Sequence, residues 1–316
     1  MTSAVTPRLA RLGHVALRTP DLASSTAFFS QVIGLEIAEA NERFVYLRAW
    51  EDHEHHTLVL CASEETGVDH VGWRAASPEA VDRFAGQLSA DGVGVREVPV
   101  GTELGQGRAI RFDTPSGFAY EIYYDVEKVP PGASRLRTNT AKAWARGISP
   151  RRIDHVNLST LDVKTEAGWS QQSLGFHCRE YVNLGGGKLG ASWLGVSALA
   201  HDLAITSEVG ERQRGLHHVA YFVDSASDVL RAADILSEEG LMADHGPGRH
   251  AISQAVCLYV RDPASGHRVE IYSGAYLVLD PDWEPIEWSG NEYSQWWGPE
   301  VDRTSAALPM GGTTPW

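Results

Sequence analysis

The sequence predicts an α+β fold of four βαβββ modules paired into two domains, followed by an aromatic C-terminal tail. Three observations carry this reading. A His-Val pair on a strand recurs four times, an apolar helical pattern follows each recurrence, and each module closes on short strands.

The first and third modules begin alike. RLGHVALRTPDLASSTAFFSQVIGLEI, from Arg11, aligns with RIDHVNLSTLDVKTEAGWSQQSLGFHC, from Arg152: a strand, a Thr/Asp turn, a helix containing aromatic residues, and an Ile-Gly or Leu-Gly stop. FVYLRAW and HTLVLCAS close the first, ASWLG and HDLAITS the third. The second and fourth also match, VDHVGWRAASPEAVDRFAGQLSADGV against LHHVAYFVDSASDVLRAADILSEEGL. Val81, Phe84, Ala85 and Leu88 recur at helical spacing, as do Val229, Ala232, Ala233 and Leu236. Ser77 and Pro78 supply an N-cap and a first-turn proline, and Gly92 and Gly240 supply stops. Both modules close on a hairpin, DTPSG or DPASG, before an EIY strand.

One such module cannot cover both faces of its small sheet, so two pair into a curved sheet. Residues 1–125 then form an N-terminal two-module domain without catalytic function, and 126–150, rich in Pro, Gly and basic residues, a linker. Residues 151–274 form the C-terminal catalytic domain. The tail, 275–316, carries PDWEPIEW and EYSQWWGP, too aromatic to stay solvated, and is expected near the active-site mouth or a subunit interface. Trp296 and Trp297 read as packing anchors.

The composition, 43% hydrophobic and 22% charged, is that of an ordinary globular protein. Cys61, Cys178 and Cys257 are odd in number and lack a CxxC pair, which points to buried thiols in a reducing cytoplasm. No apolar run approaches the roughly 18 residues of a membrane span. The net charge of −14 argues against nucleic acid, which needs a clustered positive surface.

Where two modules face each other, inward side chains at equivalent strand positions converge. In the C-terminal half these are His155, a histidine of HHV, and Glu270. Two imidazoles and a carboxylate with open positions suit Fe(II), with Mn(II) the alternative. The other three modules place their histidine immediately before valine, so His218 is expected to point inward and His217 outward. By the same register His14, His70 and Glu121 form a second triad. His56 sits where His201 sits, although EDHEHH, with His53, His55 and His56, otherwise reads as an exposed polar turn.

In IDHVNLST, ASWLGVSALAHDLAI, GLHHVAYF, GPGRHAISQAVCLYVRDP and GHRVEIYSG the sequence resembles the type I extradiol ring-cleavage dioxygenases of the vicinal oxygen chelate superfamily. The resemblance is closest to the homoprotocatechuate and catechol 2,3-dioxygenase group and runs from about Arg11 to Trp297. It implies two domains of the glyoxalase and bleomycin-resistance kind, with His155, His218 and Glu270 as metal ligands. It further implies His201 as acid/base, His250 and Tyr259 as the pair that hydrogen-bonds the catechol, and Asn157 and Trp193 as pocket lining. The implied reaction opens a catechol beside its diol with dioxygen, giving a 2-hydroxymuconic semialdehyde-type product. A homo-oligomer, with a tetramer favoured, is also implied.

The resemblance has two departures. Arginines that hold a substrate carboxylate in the homoprotocatechuate enzymes are replaced by His245 and by Tyr293 or Ser294, so a catechol without a strongly acidic side chain is expected. In the N-terminal half Gly101 and Ile110 stand at the spacings of His250 and Tyr259, so that triad reads as a fossil of duplication. The rival functions are a metal-dependent isomerase or lyase of the glyoxalase kind and a non-catalytic small-molecule binding protein on the same fold.

Overall fold

The computed structural model describes residues 8–137, 144–207, 214–289, 292 and 295–299. The first module comprises β1 (Leu9–Thr19), α1 (Leu22–Ala27, running on as a π-helical turn over Phe28–Val32), β2 (Glu36–Ala40), β3 (Phe44–Arg48) and β4 (Leu58–Ala62). The second comprises β5 (Gly67–Ala75), α2 (Pro78–Ala90), β6 (Arg96–Val98), β7 (Ala109–Asp113) and β8 (Ala119–Tyr123). The third has β9 (Arg152–Thr160), α3 (Val163–Leu174), β10 (His177–Gly185), β11 (Lys188–Gly195) and β12 (Leu203–Ser207). The fourth has β13 (Arg214–Phe222), α4 (Ala226–Glu238), β14 (His245–Arg249), β15 (Val256–Arg261) and β16 (Arg268–Ser273). Each module is therefore βαβββ, as the repeats predict, and one tail strand, β17 (Ile286–Ser289), follows.

Each helix starts where a short polar side chain accepts a backbone N–H: Asp21 from Ser24, Ser77 from Ala80, Asp162 from Thr165 and Ser225 from Asp228. Gly92 and Gly240 adopt positive φ just beyond α2 and α4, a conformation that a β-carbon disfavours.

The strands form two sheets, β2-β3-β4-β1-β5-β8-β7-β6 and β14-β15-β16-β13-β9-β12-β11-β10-β17. In each, the first strands of two modules pair antiparallel at the centre, β1 with β5 and β13 with β9. This junction sets the four-fold repeated histidines side by side in pairs. The helices and sheet backs share one apolar core, in which the Trp73 and Phe176 rings meet edge to face at 5.0 Å across the two halves. Polar ties cross the same junction: Ser25 donates to Asp262 at 2.5 Å, the Ser116 backbone N–H to Glu166 at 2.8 Å, and His267 Nε2 lies 2.9 Å from the Arg18 carbonyl.

β17 pairs in parallel with β10 and extends the second sheet, so this part of the tail is a strand. Trp288 on it packs against Val182, Ala191, Trp193 and Ala204. Trp296 and Trp297 remain about half exposed on the single chain, unlike the buried anchors expected. Tyr293, Ser294 and 300–316 lie outside the described residues. The three cysteines are unbridged, Cys61 and Cys257 buried and Cys178 half-buried. Among the described residues no helix is long and apolar enough to cross a membrane.

Candidate metal centre

The register of the second sheet builds the site. Directly paired residues share a face, and the pairs run Glu180, Trp193, Ala204, Asn157 and His218 from β10 to β13. From Ala220, two residues beyond His218, the row continues through Glu270 and Tyr259 to His245 on β14. His155 precedes Asn157 by two and joins the same face. Seven of the nine residues singled out in the sequence thus share one sheet face, and His201 and His250 belong to the loops beside it.

His155 Nε2 lies 3.0 Å and His218 Nε2 3.2 Å from the same Glu270 Oε2, and the two nitrogens are 3.2 Å apart. Ligands about 2.1 Å from one ion in neighbouring coordination positions are separated by about 3 Å. The three groups therefore fit one divalent cation, and all are buried. Burial opposes charge on His155, but hydrogen bonding to Asp154, 3.2 Å from its Nδ1, and to Glu270 raises its pKa to about 9. Burial dominates at His218 and lowers its pKa to about 4. Glu270 is held well below the usual carboxylate range because its imidazole neighbours outweigh its burial.

The remaining residues surround this triad. The His201 ring centroid is 4.1 Å from that of His155, and its buried Nδ1 has no hydrogen-bond partner among the described residues. Burial, then the neighbouring His155, pushes His201 well below the histidine range, so it is neutral. Tyr259 donates to Glu270 Oε1 at 2.7 Å, and its oxygen lies 2.9 Å from His250 Nε2. His250 reaches in from a loop that reverses through positive φ at Ser253 and Gln254. Asn157 accepts from Thr206 Oγ1 at 3.0 Å, and Trp193 is buried in the apolar cluster under Trp288.

At His217 the expected alternation fails. Leu216 pairs with Leu158 and His218 with Asn157, so β13 carries one extra residue, a β-bulge. His217 is therefore not turned outward: its ring is half-buried beside His218, with centroids 4.9 Å apart, and Arg268 Nη1 lies 3.0 Å from its Nε2.

His245 pairs with Tyr259, with ring centroids 5.7 Å apart. Burial, with Arg268 and His250 nearby, lowers its pKa, so the ring is neutral near pH 7. The second position foreseen for a substituent contact, Tyr293 or Ser294, is outside the described residues. Gln295, which no motif marks, instead lies against Gly248 and interacts with His245 through its buried side-chain amide.

Glu180 also escapes sequence reasoning. Its Oε1 accepts from the Ser253 backbone N–H at 2.8 Å and the Tyr276 hydroxyl at 2.6 Å, and its Oε2 from Trp288 Nε1 at 2.6 Å. One buried carboxylate on β10 thus ties the His250 loop and the tail strand together.

In the N-terminal half, His14 Nε2 and His70 Nε2 approach to 2.9 Å. Two expectations are corrected. The cross-strand partner of Glu121 is Arg111, as Tyr259 is of Glu270, so Ile110 is not the counterpart of Tyr259. Gln106, not Gly101, reaches Glu121, donating at 2.6 Å. Glu103, from the preceding loop, enters the cluster 3.0 Å from His70 Nε2. His53 is exposed and His55 half-buried, but His56 is buried, so the EDHEHH turn is only partly the solvated loop expected.

The superfamily described as Glyoxalase/Bleomycin resistance protein/Dioxygenase matches residues 152–271, and the Catechol 2,3-dioxygenase-like N-terminal domain matches 68–127. The chain is 46% identical, over 98% of its length and 99% of the relative's, to "Manganese-dependent 2,3-dihydroxybiphenyl 1,2-dioxygenase" of Geobacillus genomosp. 3. It is 37% identical to "Metapyrocatechase" of Geobacillus stearothermophilus, over 89% of this chain and 86% of that one. The crystal structure of homoprotocatechuate 2,3-dioxygenase from Arthrobacter globiformis superposes with a TM-score of 0.88 at 31% identity, covering 99% of this chain and 96% of that chain.

Proposed function

The chain belongs to the extradiol ring-cleavage dioxygenases of the glyoxalase, bleomycin-resistance protein and dioxygenase superfamily, and we propose that it opens a catechol bearing a neutral, apolar substituent at a divalent metal held by His155, His218 and Glu270. The observation that carries the proposal is the convergence of these three groups, 3.0–3.2 Å apart, with His201, His250 and Tyr259 around them.

His155, His218 and Glu270 would hold an ion that the two diol oxygens chelate, and the ion would supply the electronic path between the catecholate and dioxygen. Tyr259 and His250 would hold one diol oxygen by hydrogen bonds, fixing the ring beside the ligands. His201, neutral and with no partner at Nδ1 among the described residues, would take a proton from the substrate side and return it during ring opening. Trp193, Ile252 and Trp288 form an apolar wall along the same sheet face, which supports an aryl or alkyl substituent. Neutral His245 and Gln295 at its other end do not replace a guanidinium fork for a carboxylate, and the buried Arg268 beside them is paired with Asp244. Two imidazoles and a carboxylate accept Fe(II) or Mn(II). The manganese dependence in the name of the 46% identical relative supports Mn(II) as the ion to load first.

The test is oxygen uptake and formation of the yellow ring-opened product by Mn(II)- and Fe(II)-loaded protein with 3-phenylcatechol, catechol and homoprotocatechuate. The expected order of kcat/KM places 3-phenylcatechol first. Turnover of homoprotocatechuate with kcat/KM tenfold or more above that of catechol would overturn the substituent assignment. Absence of product from every catechol with ion bound would return the glyoxalase-like or binding-protein reading. We also propose a cytoplasmic homo-oligomer, with a tetramer favoured. Half-exposed Trp296 and Trp297, with Leu277 and Leu279, support a covered face, and light scattering on a sizing column tests it.

A further inference from the structure

We infer that the guanidinium of Arg111 is a built-in cation standing in the place of a metal ion in the N-terminal half, and that its removal opens a second divalent-cation site on His14, His70 and Glu103.

The two halves carry the same frame. His14 and His70 come from the first strands of their modules, as His155 and His218 do, and Asp69 lies 2.8 Å from His70 Nδ1 as Asp154 lies beside that of His155. His14 Nε2, His70 Nε2 and the Glu103 carboxylate are 2.9–3.4 Å apart, close to the spacing of the C-terminal triad. His14, His70, Glu103 and Glu121 are all completely or nearly completely buried.

The difference lies in the cross-strand partner of the last glutamate. In the C-terminal half it is Tyr259, a neutral group, and Glu270 turns Oε2 toward both histidines. In the N-terminal half it is Arg111. Its Nε donates to Glu121 Oε2 at 2.6 Å, while Gln106 donates to Oε1, so both oxygens of Glu121 are engaged away from the histidines. His14 Nε2 is 3.9 Å from Glu121. The Arg111 Nη2 hydrogen-bonds Glu103 Oε1 and lies 3.3 Å from His70 Nε2, against the same oxygen and nitrogen that an ion would bridge. Two buried carboxylates require positive charge among them, and the guanidinium supplies it permanently. Glu103 Oε2, buried between His14 Nε2 at 3.4 Å and His56 Nε2 at 3.6 Å, is the acceptor that the guanidinium does not reach.

The experiment counts ions per chain by atomic emission after loading the full-length protein with Mn(II) and removing excess. Wild type is expected to hold one ion and His218→Ala none. Arg111→Met should hold two, falling to one in Arg111→Met/His14→Ala, with Arg111→Lys remaining at one. Two ions in wild type, one ion left in His218→Ala, or a folded Arg111→Met that holds one would each overturn the inference. If Arg111→Met fails to fold, Arg111→Gln is counted in its place: two ions support the inference and one ion in the folded variant overturns it.

Discussion

The Nδ1 atom of His217 lies 2.6 Å from the Nδ1 of His218, within hydrogen-bond distance, so the two neighbours in sequence bear directly on each other's ring orientation. His218 presents its other nitrogen to Glu270, and Arg268 holds the far side of His217. His217 is thus the group that orients His218. Replacing His218 with alanine should abolish binding of the catalytic ion. His217→Ala should keep one ion per chain but bind it about 10- to 100-fold more weakly, the usual cost of losing the group behind a ligand. Competition with a chelator measures this, and an unchanged dissociation constant for His217→Ala would show that the ring merely fills space.

The sequence made the triad legible because duplication wrote the same register four times, and the His-Val pairs and EIY strands mark equivalent positions on paired sheets. It could not reveal the bulge at His217, because an extra residue in a ladder leaves no trace in a short motif. Spacing also misplaced the counterparts of His250 and Tyr259 in the N-terminal half. The loop between β6 and β7, 99–108, is longer than that between β14 and β15, 250–255, and strand pairing selects Arg111, one residue beyond Ile110. Glu180 and Gln295 were invisible for a different reason. Each acts through partners distant in sequence, and an isolated acid or amide carries no spacing signal.

Glu180 gives a prediction of its own. Glu180→Ala strands the Ser253 N–H, the Tyr276 hydroxyl and the Trp288 indole N–H, and a buried donor left unpaired costs about 1–3 kcal/mol. The variant should lower the urea midpoint and, because the loop bearing His250 and the tail strand are both released, raise KM for catechols about tenfold or more. Glu180→Gln, retaining one acceptor, should lie between. Urea titration followed by steady-state oxygen uptake reads both effects, and an unaltered KM would separate the anchor from substrate binding.

The Tyr259 hydroxyl joins Glu270 and His250 through a single oxygen. Tyr259→Phe preserves the ring against His218, whose centroid is 5.2 Å away, and removes only that oxygen. Ion content should therefore be unchanged while kcat/KM falls about 100-fold or more, the range associated with a lost proton-handling group. Loss of the ion together with activity would instead mean that the phenol holds Glu270 in its ligating position.

His267 provides a pH test away from the metal centre. It is buried at the junction of the two halves, with Nε2 2.9 Å from the Arg18 carbonyl and no partner at Nδ1 among the described residues. Burial lowers its pKa to about 4, although the Arg18 carbonyl and Asp262 oppose the shift. The folded state thus binds this proton less readily than the unfolded chain, whose histidine titrates near 6.5. The stabilisation is complete above pH 6.5 and is lost progressively as the pH falls toward 4, amounting to about 3 kcal/mol over that window. His267→Gln keeps a donor for the Arg18 carbonyl but cannot accept the proton. Urea unfolding at pH 7.5 and 5.0 should show the wild type losing more stability between the two than the variant does. Equal losses would assign the acid sensitivity of this junction to other groups.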